Sequence, residues 1–173
     1  MIFRLSQKLN TKIKVGALET LPLDENPYAD WSAGLFVADR TQYIILSNTK
    51  SLYSTVMYGK GITNDSHFIE RALSGIREFM EDDGQEFVYR RFIAPASESV
   101  RFAKALDRSV TGSINDLIRH ATYWLAQGDI SPFDVGSRLN EIPMSALARS
   151  ESDKYGKPRD AFKALVSNGE SAQ

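Results

Sequence analysis

The sequence predicts an α+β domain, a mainly antiparallel sheet of about four to five strands packed against two to three amphipathic helices. Apolar, β-rich runs at residues 32–38, 42–47 and 52–58 follow one another through brief connections, which suits an antiparallel meander. Two later segments repeat apolar residues at spacings of three and four, the mark of a helix with one buried face. The chain has 173 residues, 42% hydrophobic and 10% aromatic, enough for one core and too apolar for a disordered chain.

Taken in order, Ile2, Phe3, Arg4 and Leu5 alternate weakly and read as a short strand. The first 20 residues set Arg4, Lys8, Lys12 and Lys14 against Glu19 alone, a local basic patch. Residues 21–30, LPLDENPYAD, hold two prolines and three acids and read as a loop. The three apolar runs come next, the first two joined through Asp39, Arg40 and Thr41. Gly59 and Gly61 end the third run, and Asn64, Asp65 or Ser66 caps a helix that buries Phe68, Ile69, Ala72, Leu73, Ile76, Phe79 and Met80 before stopping at 81–84. Residues 86–93 fit either a helix or a strand, Pro95 closes them, and 100–106 reads as a strand. A second helix over 109–126 turns Val110, Ile114, Leu117, Ile118, Ala121 and Leu125 inward and stops at Gly128. Ser131 as cap, Pro132 at the first helical position and Asp134 in the first turn predict a third helix to about Leu139, with Pro143 preventing its extension. Residues 1–148 are the single globular domain. Residues 149–173 form a polar extension, docked weakly or mobile, in which Ala161, Phe162, Leu165 and Val166 can make a short helix.

Absence of cysteine excludes disulfide scaffolds, thiol nucleophiles, iron–sulfur clusters and the common structural zinc sites. No metal-ligand spacing and no cofactor motif occurs, so neither a metal nor a cofactor is expected. The N-terminus has neither the apolar stretch of a signal peptide nor the length of a membrane span, and a cytoplasmic protein without membrane contact is the expectation. A net charge of −1 attracts no polyanion to the molecule as a whole, so nucleic-acid or nucleotide binding would need a local patch.

His67 and His120 are the only histidines. Asp116 precedes His120 by four residues on one helical face and makes the single acid–base pair with local support; otherwise both histidines read as surface or capping residues. No Walker loop, GxGxxG turn or GxSxG elbow is present, and Gly59-Lys60-Gly61 reads as a turn. The stretch DRSVTGSIND over 107–116 is different, because it gathers Arg108, Ser109, Thr111, Ser113, Asn115 and Asp116 at a strand-to-helix junction. A helix start with an arginine and hydroxyls beside it suits an anion. The structural reading of the same residues has Ser109 capping the helix, Gly112 allowing close packing on the sheet, and Arg108 pairing with Asp107 or Glu98.

The segments FRLSQKL at the N-terminus, DWSAGLF over 30–36, ILSN over 45–48, RFAKALDRSVTGSINDL over 101–117 and LNEIPMSAL over 139–147 together resemble a family of short bacterial proteins of unknown function. The likeness covers residues 1–148 and makes the tail from Arg149 an individual extension. Ser32 stands where that family's usual DWHANL has histidine. The resemblance collects Gln7, Lys8, Trp31, Asn48, Arg108, Ser109, Ser113, Asn115, Asp116 and Asn140 as a polar set expected to meet at one sheet edge around the helix start.

Two functions follow as expectations. The first, favoured by the neutral charge and the lack of a catalytic constellation, is a non-catalytic interaction or regulatory module whose protein partner is encoded nearby. The second is a nucleotide- or nucleic-acid-binding module or enzyme, with phosphate held by Lys8, Arg108 and the helix start and a base stacked on Trp31 or Tyr28. Sheet edges and the apolar residues Tyr53, Met57 and Tyr58 would also suit a homo-oligomer.

Overall fold

The computed structural model of the protein describes residues 1–170, with side chains as far as Leu165. Residues 171–173, and the side chain of Val166 on the apolar side of the tail, lie outside the described residues. Five strands, β1 (Ile2–Leu5), β2 (Asp30–Ala38), β3 (Thr41–Asn48), β4 (Ser54–Tyr58) and β5 (Arg101–Ala103), form one sheet in the order β4-β3-β2-β1-β5. The fold is α+β as expected, with most of the strand pairing antiparallel, and the sheet is mixed and not purely antiparallel. The meander β2-β3-β4 is antiparallel, whereas β1 runs parallel to both β2 and β5. Short connections reveal hairpins, but β1 reaches β2 and β5 through long excursions whose direction no local pattern records.

The β2–β3 hairpin turns on Asp39 and Arg40, with φ of 46° and 65°, a two-residue turn whose left-handed pair matches the twist of the strands. β4 starts at Ser54, later than the apolar run, because Leu52 sits at φ 62° in the turn and donates its N–H to the Asn48 carbonyl at 2.8 Å.

The helices are α1 (Gln7–Ile13), α2 (Asp65–Asp82), α3 (Glu86–Val88), α4 (Arg108–Ala126), α5 (Pro132–Leu139) and α6 (Pro158–Glu170). The ambiguous 86–93 stretch is helical, α3 running into a wide π turn over Tyr89–Ile93 that buries Tyr89 and Ile93. The segment at 100–106 keeps strand pairing only over Arg101–Ala103. Asn64 caps α2 and Ser131 caps α5. α4 is capped by Asp107, whose Oδ1 accepts from the Val110 N–H at 2.9 Å, so Ser109 is a helical residue and not the cap. A carboxylate caps a helix start better than a hydroxyl because it also meets the positive end of the dipole. Gly112 is exposed and, among the described residues outside its own helix backbone, nothing lies within 4 Å of where a Cβ would stand, so it mediates no packing on the sheet.

The sheet separates two apolar cores. One gathers Phe3, Leu5, Trp31, Ile44 and Leu46 with Leu9 and Ile13 of α1 and Phe68, Ala72, Ile76 and Phe79 of α2. The other gathers Phe36, Ile45 and Val56 with Leu117, Ala121 and Leu125 of α4 and Val135 and Leu139 of α5. The tail is docked in the first core: Phe162 of α6 is fully buried, stacked on Tyr53 at 4.2 Å and edge-on to Tyr28 at 5.5 Å. Arg159 adds ion pairs to Asp83 and Glu141. Tyr53 and Met57 are likewise core residues, which removes them from any self-association surface and leaves Tyr58 exposed.

Candidate binding groove

A difference in strand length creates the site. β1 pairs with β2 from Ile2 opposite Asp30 to Leu5 opposite Ala33, and Ser6 then donates to the Ala33 carbonyl at 2.9 Å as the chain turns into α1. β2 runs on to Ala38 and, among the described residues, only β3 pairs with this outer half. Backbone groups of an antiparallel strand alternate sides, so Leu35 and Val37 point N–H and C=O the way Ala33 points its carbonyl, to the edge β1 has left. The start of α1, with Gln7 and Lys8, borders this edge on one side. α4 borders it on the other, through Ile114, Asn115, Ile118 and Thr122.

Together they enclose a groove of about 790 Å³. Ser32, Gly34 and Phe36 belong to the face of β2 that turns to α4, and Ile118 lies directly over Gly34, 3.5 Å from where a Cβ would stand. The lining is largely aliphatic, with amides and hydroxyls at its rim. Among the described residues its charged groups are Arg4 and Lys8, and no carboxylate lines it. Arg4 is spent internally. Its Nε and Nη2 donate to the two Asp30 carboxylate oxygens at 2.8 Å, and its remaining N–H groups go to the carbonyls of Leu21, Pro22 and Lys104. Lys8 is exposed and, among the described residues, is the free cation of the lining. Ser32 is buried with its hydroxyl 2.8 Å from that of Thr49.

The polar set expected at one edge is distributed over several places. Lys8 and Asn115 share the groove, together with Gln7. Ser113, Asp116 and His120 line a separate cleft of about 440 Å³ beside Tyr123 and Tyr155. There Asp116 pairs with Arg119, not with His120, whose ring lies 5.7 Å from that of Trp124. Ser109 lies in a minor depression near Leu52, and Arg108 is exposed and, among the described residues, pairs with neither Asp107 nor Glu98.

Trp31, Asn48 and Asn140 are interior struts. Trp31 is fully buried and donates its indole N–H to the Tyr28 carbonyl at 2.7 Å, and Tyr28 is buried too, so neither ring is open to a stacking base. Asn48 donates to the Pro27 carbonyl and accepts from the N–H and hydroxyl of Ser51, fixing the β3–β4 turn. Asn140 pairs both ends of its amide with the backbone of Ser54, at 2.7 and 3.0 Å, and so completes the edge of β4.

Sequence reasoning missed Leu35, Val37, Ile114, Ile118 and Thr122 as site residues. Their signal was present in a nine-residue β2 beside a four-residue β1, a mismatch that leaves edge exposed. Among the described residues no group of histidine, aspartate and glutamate is arranged to hold a metal, and no helix is long and apolar enough to cross a membrane.

No curated protein and no solved structure matches the sequence. A family model does: the one described as a domain of unknown function, DUF6933, matches residues 2–161, past the end at 148 that the resemblance implied, and the chain belongs to that family.

Proposed function

We propose that the protein is a non-catalytic interaction module that engages another protein chain through the groove between α1, the outer half of β2 and α4. The observation that carries this reading is the groove itself, an apolar and acid-free concavity on an open strand edge. The nucleotide reading gains less support. The Asp107 carboxylate already holds the start of α4, where it repels a phosphate, and the aromatic rings proposed for stacking are buried.

Selection of a random linear-peptide display library on the full chain tests the proposal. Peptides should be enriched that bind the wild type and lose about tenfold or more in affinity for Asn115→Trp, which fills the groove mouth from an exposed position. Absence of any enriched peptide, or enriched peptides indifferent to Asn115→Trp, would refute it.

A further inference from the structure

The other edges of the sheet are covered in part. Asn140 and α5 cover the start of β4 at Ser54 and Thr55, where a Cβ on Gly136 would come within 3.2 Å of the Thr55 Cα. The outer side of β5 meets Glu19 in a parallel bridge, and Lys104 donates to the Glu19 carbonyl at 2.8 Å. Among the described residues nothing pairs with this side of residues 34–38 of β2, although an unpaired edge is a template for another strand and folded proteins usually blunt it. Val37, at 55% exposure, is a large apolar residue left open at this edge.

We infer that the groove takes an extended, acidic segment of a partner protein as an added strand in line with β1, hydrogen-bonded to the backbone of Leu35 and Val37. This rests on the reading of the protein as an interaction module. Alternate side chains of such a strand would face the two sides of the sheet, one set meeting Ile114 and Ile118 of α4 and the other lying along the start of α1. About five residues, spanning roughly 17 Å, match the open length of β2.

Three features choose this occupant. The lining holds Lys8 and no carboxylate, and Lys12 follows Lys8 one turn along α1, so the local field favours acidic side chains. The edge lies recessed between α1 and α4, which admits a lone strand but holds apart the matching edges of two copies, each bringing its own Lys8. The chain's own last residues, 167–173, are SNGESAQ and offer no alternating large apolar residues, and α6 is anchored through Phe162 in the first core.

The test uses fluorescein-labelled, amidated peptides of about seven residues that alternate glutamate with valine, titrated into the full chain by anisotropy. The proposal expects binding that weakens about tenfold or more when lysine replaces glutamate, or when Lys8→Glu is introduced at its exposed site. It also expects the Leu35 and Val37 amides to become protected from hydrogen exchange on binding, and alternate backbone N-methylation of the peptide to abolish the complex. Two results would overturn strand addition while leaving the interaction-module reading intact. One is that library-selected peptides compete for the groove while the acidic probe does not bind; the other is binding without protection of those amides. Concentration-dependent dimerisation that protects the same amides without peptide would overturn it in favour of a second copy. If neither the probe nor any library peptide binds, both readings fall.

Discussion

At the scale of the residue, the Arg4–Asp30 pair shows how a buried charge is tolerated. All five guanidinium N–H groups are satisfied, two by Asp30 and three by backbone carbonyls, and the Asp30 carboxylate also accepts from the Asp24 N–H at 3.0 Å. The pair ties the 21–24 loop to two strands. Such pairs contribute little over an apolar replacement, but removing one partner strands the other charge in a dry site. Asp30→Asn is therefore expected to lose about 3–5 kcal/mol in urea unfolding, and a loss under about 1 kcal/mol would contradict this account. Arg40 offers the opposite case. It is exposed and held at φ 65°, where a side chain is strained and glycine is not, so Arg40→Gly should stabilise the fold by ~1 kcal/mol on thermal melting. Residue type alone misleads at Trp31, Asn48 and Asn140. An indole and two amides suit a ligand as well as they suit buried backbone, and only burial separates the two.

At the scale of the element, the sequence rules worked wherever a signal is local. Asn64, Ser131 and Pro132 act as caps and first residue as their chemistry requires. α1 was hidden among lysines, yet Ser6 accepts from the Leu9 N–H and Leu9 and Ile13 lie four apart on the buried side, a helix signature too short to stand out. The tail helix depends on contacts distant in sequence. The Glu141 carboxyl is held below its ordinary value of 4.5 by hydrogen bonding from Lys157, opposed by partial burial and helped by the charge of Arg159. A depressed folded value means this support is complete above the ordinary carboxyl range and disappears as pH falls through the lowered value. Hydrogen exchange of α6 amides at pH 3 should accordingly rise relative to pH 7 by more than that of α2 after correction for intrinsic rates; equal protection ratios would show that Glu141 does not govern docking.

At the scale of the whole molecule, the sheet is a shared wall between two cores, so neither core can open without exposing strand faces of the other. The two tryptophans report on this separately, Trp31 from within one core and Trp124 packed on the other. Single-tryptophan variants Trp124→Phe and Trp31→Phe should each give an unfolding curve whose fluorescence midpoint coincides with the far-UV circular dichroism midpoint of the same variant. Distinct midpoints within one variant would mean the cores melt independently. Spacings of a few residues encode the meander, the amphipathic α2, α4 and α5, the caps of α2 and α5, and the basic character of the first 20 residues, so these were legible without the fold. Tertiary structure alone decided that β1 runs parallel between β2 and β5, that Phe162 belongs to the main core, and that the outer half of β2 stays open between α1 and α4. These depend on which distant surfaces bury one another, and hydrophobic burial is non-directional, so no short stretch of chain encodes its partner.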